Sequence, residues 1–143
     1  MSIHILLGKP GAGKSLYAVN RLLRELVESN RNIVTNLPIR MGALNEYVQK
    51  SWPSQDLRPV QRIRLLTDDE MREFWKIRGE DDGAHGVAYY LDEAHIAFNA
   101  REWASLGKGA LHYLSQHRKL GDIVWAITQA PGNLDKQFRS VAE

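Results

Sequence analysis

The run Gly8-Lys9-Pro10-Gly11-Ala12-Gly13-Lys14-Ser15 holds the first residues whose types and spacing could do chemistry. A glycine, four variable positions and then Gly-Lys-Ser is the spacing of a loop that wraps phosphate oxygens. Such a loop passes very close to its ligand. Gly8, Gly11 and Gly13 permit backbone angles and an approach that a side chain would block. Backbone N–H groups from Gly11 to Ser15 would point inward, at the positive end of the dipole of the following helix. Lys14 would reach the β- and γ-phosphates of a nucleoside triphosphate, and the Ser15 hydroxyl would bind Mg²⁺. The candidate nucleotide contacts are therefore Gly8, Lys9, Pro10, Gly11, Ala12, Gly13, Lys14, Ser15 and Leu16, with ATP and Mg²⁺ as the ligands. The bland alternative is a glycine-rich turn that binds nothing. Both flanks speak against it: an apolar run, Ile3 to Leu7, precedes the loop and a helix-forming stretch, Leu16 to Glu28, follows it.

A second group of candidates stands at the ends of apolar runs, because ligands of open parallel sheets bind beyond the carboxyl ends of the strands. Val87 to Leu91 leads straight into Asp92-Glu93. Asp92 would hold Mg²⁺ through water, opposite Ser15. Glu93 would polarise the attacking water for in-line displacement at the γ-phosphate. The competing reading is that the two acids only start the next helix. The run Ile123 to Ile127 ends at Thr128-Gln129, where a polar side chain could bond the attacking water or the γ-phosphate, or simply close the strand. Asn36 ends a shorter run and has the same position, with an ordinary turn role as its alternative. Hydrolysis of this kind often needs a cation on the developing charge, supplied in cis or by a neighbouring subunit. Arg101, Arg118 and Arg139 are the candidates, each equally readable as a solvated surface arginine. His95 and His117 have no partners at metal-ligand spacing. The tryptophans show no spaced pattern with basic residues that would suggest base stacking, and Trp75 and Trp125 read as core.

The elements that must position these residues follow from periodicity. Strands are expected at Ile3–Leu7, Ile33–Thr35, Arg62–Leu66, Val87–Leu91 and Asp122–Ile127. A helix from about Lys14 to Glu28 places Leu16, Val19, Leu22, Leu23 and Leu26 on one stripe. Residues 42–59 are irregular, with Pro53 and Pro59 as breakers, and should hold a short helix or a surface excursion. Thr67 can cap a helix running to about Ile77, with Glu70 three residues on. Ala94–Arg101 reads as a short helix or loop, Gly107–His117 as a helix, and residues from Asn133 to about Val141 as a last helix. Apolar strands alternating with helices imply a parallel sheet covered on both faces.

Composition narrows the class without choosing a function. The chain has 143 residues, 43% hydrophobic and 25% charged, which is ordinary for one globular domain. A net charge of +2 does not by itself argue for nucleic acid. With no cysteine there is no disulfide framework and no thiolate metal site. The first strand starts too early for a signal peptide, no apolar run is long enough to span a bilayer, and the end suggests a domain cut from a longer protein.

Taken in order, Gly8 to Ser15, Val34-Thr35-Asn36-Leu37, Leu91-Asp92-Glu93-Ala94-His95, Arg101, His117-Arg118, Asp122 to Gln129 and Leu134-Asp135-Lys136-Gln137-Phe138-Arg139 resemble the zonular occludens toxin (Zot) family. These are the assembly proteins of filamentous phages, and the resemblance covers nearly the whole chain. It implies an α/β P-loop NTPase fold, a three-layer sandwich with a mainly parallel sheet, of the additional-strand ATPase class. It implies an ATP-hydrolysing motor that acts as a homo-oligomeric ring on the cytoplasmic face of the host inner membrane. A transmembrane helix outside this chain would anchor it, with phage coat proteins and the single-stranded DNA–protein complex as clients. Lys14, Ser15, Asp92 and Glu93 match the family's motif positions. Gln129 and Arg139 match conspicuous positions whose roles stay open.

Two other readings remain. A small nucleotide kinase also carries such a loop, but Glu93 directly after Asp92 and the Gln129 strand end favour hydrolysis. A nucleotide-gated scaffold without turnover is the non-enzymatic alternative, and the intact Glu93 argues against it. A GTPase switch is disfavoured because the chain has no Asn-Lys-x-Asp and no Asp-x-x-Gly switch sequence.

Overall fold

Two of the apolar runs are buried almost throughout, only Ile123 being half-buried, and that dictates the architecture. Val87–Leu91 (β4) and Ile123–Thr128 (β5) expose almost nothing on either face, as interior strands of a parallel sheet must. In the computed structural model, which describes residues 2–8, 13–54, 58–71, 73–77, 86–94 and 121–129, they join β1 (Ser2–Leu7), β2 (Asn32–Thr35) and β3 (Ile63–Leu65). The five strands are all parallel, in the order β1-β5-β4-β2-β3. The last of the described strands therefore lies between the strand that enters the glycine-rich loop and the strand that leads into Asp92. This is the additional-strand arrangement expected above.

Alternation along the strands divides the core in two. On one face Ala88, Tyr90, Trp125 and Ile127 pack with helix α1 (Lys14–Glu28) and helix α2 (Met41–Ser51). On the other, Tyr89, Leu91, Val124 and Ala126 pack against Met71 of the short helix α4 (Asp68–Met71) and Phe74 of a 3₁₀ turn, Phe74–Ile77. Trp125 is buried and Trp75 packs on the core from its edge, as expected.

Helix α1 has the expected bounds, but its inner face is shifted. Ala18, Leu22 and Leu26, spaced by four, are fully buried, whereas Leu16 is 67% exposed. Leu16 lies two residues, roughly 200° of helix, from the buried Ala18 and so falls on the opposite side. Residues 42–59 are more regular than expected: α2 spans eleven residues and anchors Leu44 and Val48 in the core. Pro59 opens a single helical turn, α3 (Pro59–Arg62), instead of only breaking the chain. The Thr67–Glu70 capping box is present: the Thr67 N–H donates to Glu70 Oε1 at 3.0 Å and the Glu70 N–H to Thr67 Oγ1 at 3.3 Å. The first of these bonds, chiefly, holds the Glu70 carboxyl below its ordinary value. The helix expected there ends early, at Met71, and the later expected helices lie outside the described residues.

Polar side chains tie the amino-terminal edge of the sheet. Asp122, fully buried, accepts the Val87 N–H at 2.8 Å. Arg31 donates from Nε to the Gly121 carbonyl at 3.0 Å and pairs with Glu25 at 3.2 Å. The Arg62 guanidinium donates to the carbonyls of Leu26, Ser29 and Arg31, each at 2.7 Å. It thus caps the negative end of α1 from a distant segment. Burial pulls its pKa below the ordinary arginine value, and Glu25 opposes that shift. Arg62→Ala leaves three carbonyls short of a donor and is expected to lose about 2 kcal/mol of stability. Urea unfolding checks this; a loss below about 0.5 kcal/mol would mean that water serves those carbonyls as well.

Candidate functional site

The carboxyl edge of the sheet gathers the candidate residues. β1 pairs with β5 so that Leu7 lies beside Thr128, and Gly8 and Gln129 leave the sheet side by side. β4 pairs with β5 so that Leu91 lies beside Ala126, which sets Asp92 next to the end of β5. Thr35 lies beside Tyr90, so Asn36 leaves β2 next to the chain leaving β4. Sequence expected these strand ends to share one edge, and they do.

Helix α1 begins on Gly13, whose φ of +82° is left-handed. A glycine takes this conformation without steric cost. Among the described residues no side chain caps the helix start and no acid stands in its first turn, and a helix start of this kind favours an anion. Lys14 is half-buried and Ser15 exposed. A cavity of about 230 Å³ opens beside them, lined by Leu6, Leu7, Gly13, Lys14 and Tyr17. Tyr17 was not among the sequence candidates, although three residues after Lys14 puts it on the same side of the helix. Leu16, named as a contact from sequence, projects into solvent.

Across β5, Asp92 is half-buried and Glu93 exposed. Asp92 Oδ1 accepts the Glu93 N–H at 3.0 Å. Glu93 has a φ of +53°, in the left-handed region that side chains avoid. Behind this turn, Thr35 Oγ1 donates to the Tyr90 carbonyl at 2.7 Å and the Asn36 side chain bonds the backbone of Asp92. Sequence weighed Asn36 only as a sensor or a turn residue and overlooked Thr35. Gln129 is exposed at the end of β5. Lys9, Pro10, Gly11, Ala12, His95, Arg101, His117, Arg118 and Arg139 lie outside the described residues.

The donor set fits a Mg²⁺–nucleotide. Uncapped helix donors and a lysine suit phosphate, and one hydroxyl with one carboxylate suits a cation held mostly by phosphate and water. Among the described residues no cluster of three or more His, Cys, Asp or Glu could hold a metal by protein ligands alone.

Fold and strand-end residues together define a P-loop NTPase-like α/β domain with an inserted strand. The chain belongs to the zonular occludens toxin (Zot) family, whose model matches residues 2–143. The N-terminal domain of zonular occludens toxin from Neisseria meningitidis superposes with a TM-score of 0.64 at 23% identity, over 99% of this chain and 73% of that one. Similar relatives are the gene 1 protein of Escherichia phage If1, 32% identical over 145 residues, and that of Salmonella phage IKe, 27% identical over 140. Each match covers 97% of this chain but only 38% and 37% of the relative, so the chain spans a little over a third of their length.

Glu93→Gly should relieve the left-handed backbone and raise stability by about 1 kcal/mol. Denaturant unfolding of the two proteins checks this. A destabilised glycine variant would mean that the Glu93 side chain supports the fold.

Proposed function

We propose that this chain binds Mg²⁺–ATP and hydrolyses it, and that the hydrolysis drives filamentous phage assembly and extrusion through the host inner membrane. The observation that carries the enzymatic part is the convergence at one sheet edge. Gly13-Lys14-Ser15 and Asp92-Glu93 stand on either side of a single strand, β5, that ends in Gln129. The phage part rests on membership of the Zot family and on relatives that are phage gene 1 proteins.

In this reading the α1 N-terminus and Lys14 hold the phosphates, and Ser15 and Asp92 hold the metal, Asp92 through water. Bound Mg²⁺ would neutralise charge on the β- and γ-phosphates. Glu93 orients a water in line with the γ-phosphate and takes its proton as the water oxygen bonds the γ-phosphorus and the bond from that phosphorus to the β,γ-bridging oxygen breaks, so the products are ADP and phosphate. Gln129 senses the γ-phosphate from the neighbouring strand end. Arg118 or Arg139 of an adjacent copy would place a cation on the developing charge, which makes a homo-oligomeric ring the working form. Coat proteins and the single-stranded DNA–protein complex would be its clients at the cytoplasmic face of the membrane. Among the described residues no helix is long and apolar enough to cross a membrane, and the reading assigns the anchor to a segment outside this chain.

Nucleotide binding and steady-state hydrolysis, measured with Mg²⁺ over a wide protein concentration range, test the proposal. Turnover should rise faster than linearly with concentration. Lys14→Ala should lose binding or turnover. Glu93→Gln should keep ATP bound while its rate falls about a hundredfold or more. Tight binding without turnover at any concentration would favour a nucleotide-gated scaffold. A Lys14→Ala variant with unchanged rates would remove the loop from the chemistry.

A further inference from the structure

We propose that Asn36 is the positioning residue of the Asp92–Glu93 turn, acting by extending the β2–β4 ladder one rung beyond the point where the two backbones part. This inference rests on the nucleotide–metal reading of Asp92 and Glu93 given above.

The backbone pairing of β2 with β4 ends at Thr35 and Tyr90. One step further the Asn36 N–H reaches the Tyr90 carbonyl only at 3.4 Å. There β2 turns away: the Leu37 N–H bonds Thr35 Oγ1 at 3.0 Å, and Pro38 follows. The Asn36 side chain then takes the place of the missing backbone. Its Oδ1 accepts the Asp92 N–H at 2.6 Å and its Nδ2 donates to the Asp92 carbonyl at 2.7 Å. A primary amide offers a donor and an acceptor in one plane, as a peptide group does. An aspartate lacks the donor, and serine or threonine offers a single atom.

Both backbone groups of Asp92 are therefore fixed. The Asp92 carboxylate is fixed in turn by the Glu93 N–H, and Glu93 sits in a left-handed conformation that L-residues leave unless held. Asn36 is thus linked to both acids, and the side-chain amide that its strand-end position offered as a γ-phosphate sensor is engaged by the Asp92 backbone instead. A purely structural strand-end bond would stabilise the sheet alone. A positioning bond sets the direction of the metal-facing carboxylate and of Glu93.

Asn36→Ala and the similarly sized Asn36→Asp separate the two. Nucleotide affinity measured without Mg²⁺ should stay within about twofold of the unsubstituted protein, because the loop and α1 are untouched. The gain in affinity on adding Mg²⁺, and kcat, should each fall by about tenfold or more, as when an outer partner of a metal ligand is removed. In the nucleotide-free protein, the Asp92 amide of Asn36→Ala should exchange with solvent about tenfold faster, while Tyr89 and Leu91 keep their protection. Variants that keep the full Mg²⁺ gain, or an Asp92 amide that stays as protected, would overturn the role of Asn36. So would a joint loss of thermal stability and metal-free binding that leaves kcat intact. An unsubstituted protein that gains nothing from Mg²⁺ would instead overturn the nucleotide–metal reading itself, and this inference with it.

Discussion

The structure depends on one strand being dry on both faces. β5 separates the strand that feeds the glycine-rich loop from the strand that leads into Asp92, pairing with the first along its whole length and with the second from Ile123 to Ala126. A strand in that place has neighbours on each side and layers above and below. Val124, Trp125, Ala126 and Ile127 answer all four demands with apolar side chains. The chain leaving β1 at Gly8 is then separated from the chain leaving β4 at Asp92 by the width of one strand, about 10 Å across two strand gaps. That gap is set by backbone hydrogen bonds, which vary little, rather than by side-chain packing.

A parallel sheet with so apolar an interior leaves its polar business at the strand ends, where backbone groups run out of ladder partners. The two edges solve this differently. At the amino-terminal edge, Asp122, Arg31 and Arg62 tie distant segments together with side chains already engaged by carbonyls, an N–H or Glu25. At the carboxyl edge, Thr35 and Asn36 do the same for β4, but the next groups along, the Asp92 and Glu93 side chains, face a different task. α1 repeats the contrast within one helix. Its carboxyl end is capped by Arg62 and by Ser29, which donates to the Glu25 carbonyl, whereas among the described residues no side chain caps its amino end. A helix closed at one end and open at the other is what anion binding requires.

Much of this was legible in the sequence because the signals are local. Gly-Lys-Ser after an apolar run, the Thr67–Glu70 box and the uninterrupted runs at Val87 and Ile123 each specify themselves within a few residues. What was misread depends on which neighbour an element meets. Periodicity puts Leu16 on the apolar stripe of α1, but it cannot say that the buried stripe runs instead through the smaller Ala18. Of the two readings for residues 42–59, a short helix or a surface excursion, the helix is found at Met41–Ser51, and the spacing of Leu44 and Val48 agrees with it. The Asn36 contact joins residues 56 apart in sequence, and only the parallel register of β2 on β4 makes them neighbours. No single-sequence pattern carries that information.

The left-handed positions differ in how the backbone accommodates them. Gly13, Gly86 and Gly121 take positive φ with the residue that suits it, at a helix start and before two strands. Glu93 takes the same kind of conformation without that relief. Its N–H is bonded to the Asp92 carboxylate, and Asp92 is bonded on both backbone groups to Asn36. Three consecutive constraints thus converge on the residue whose side chain is directed away from the core. A turn built only to end a strand would need neither the carboxylate nor the restraint, and glycine would serve it better. The strain at Glu93 is intelligible where a carboxylate must be presented at a fixed angle to the edge shared with Gly13, Lys14 and Gln129.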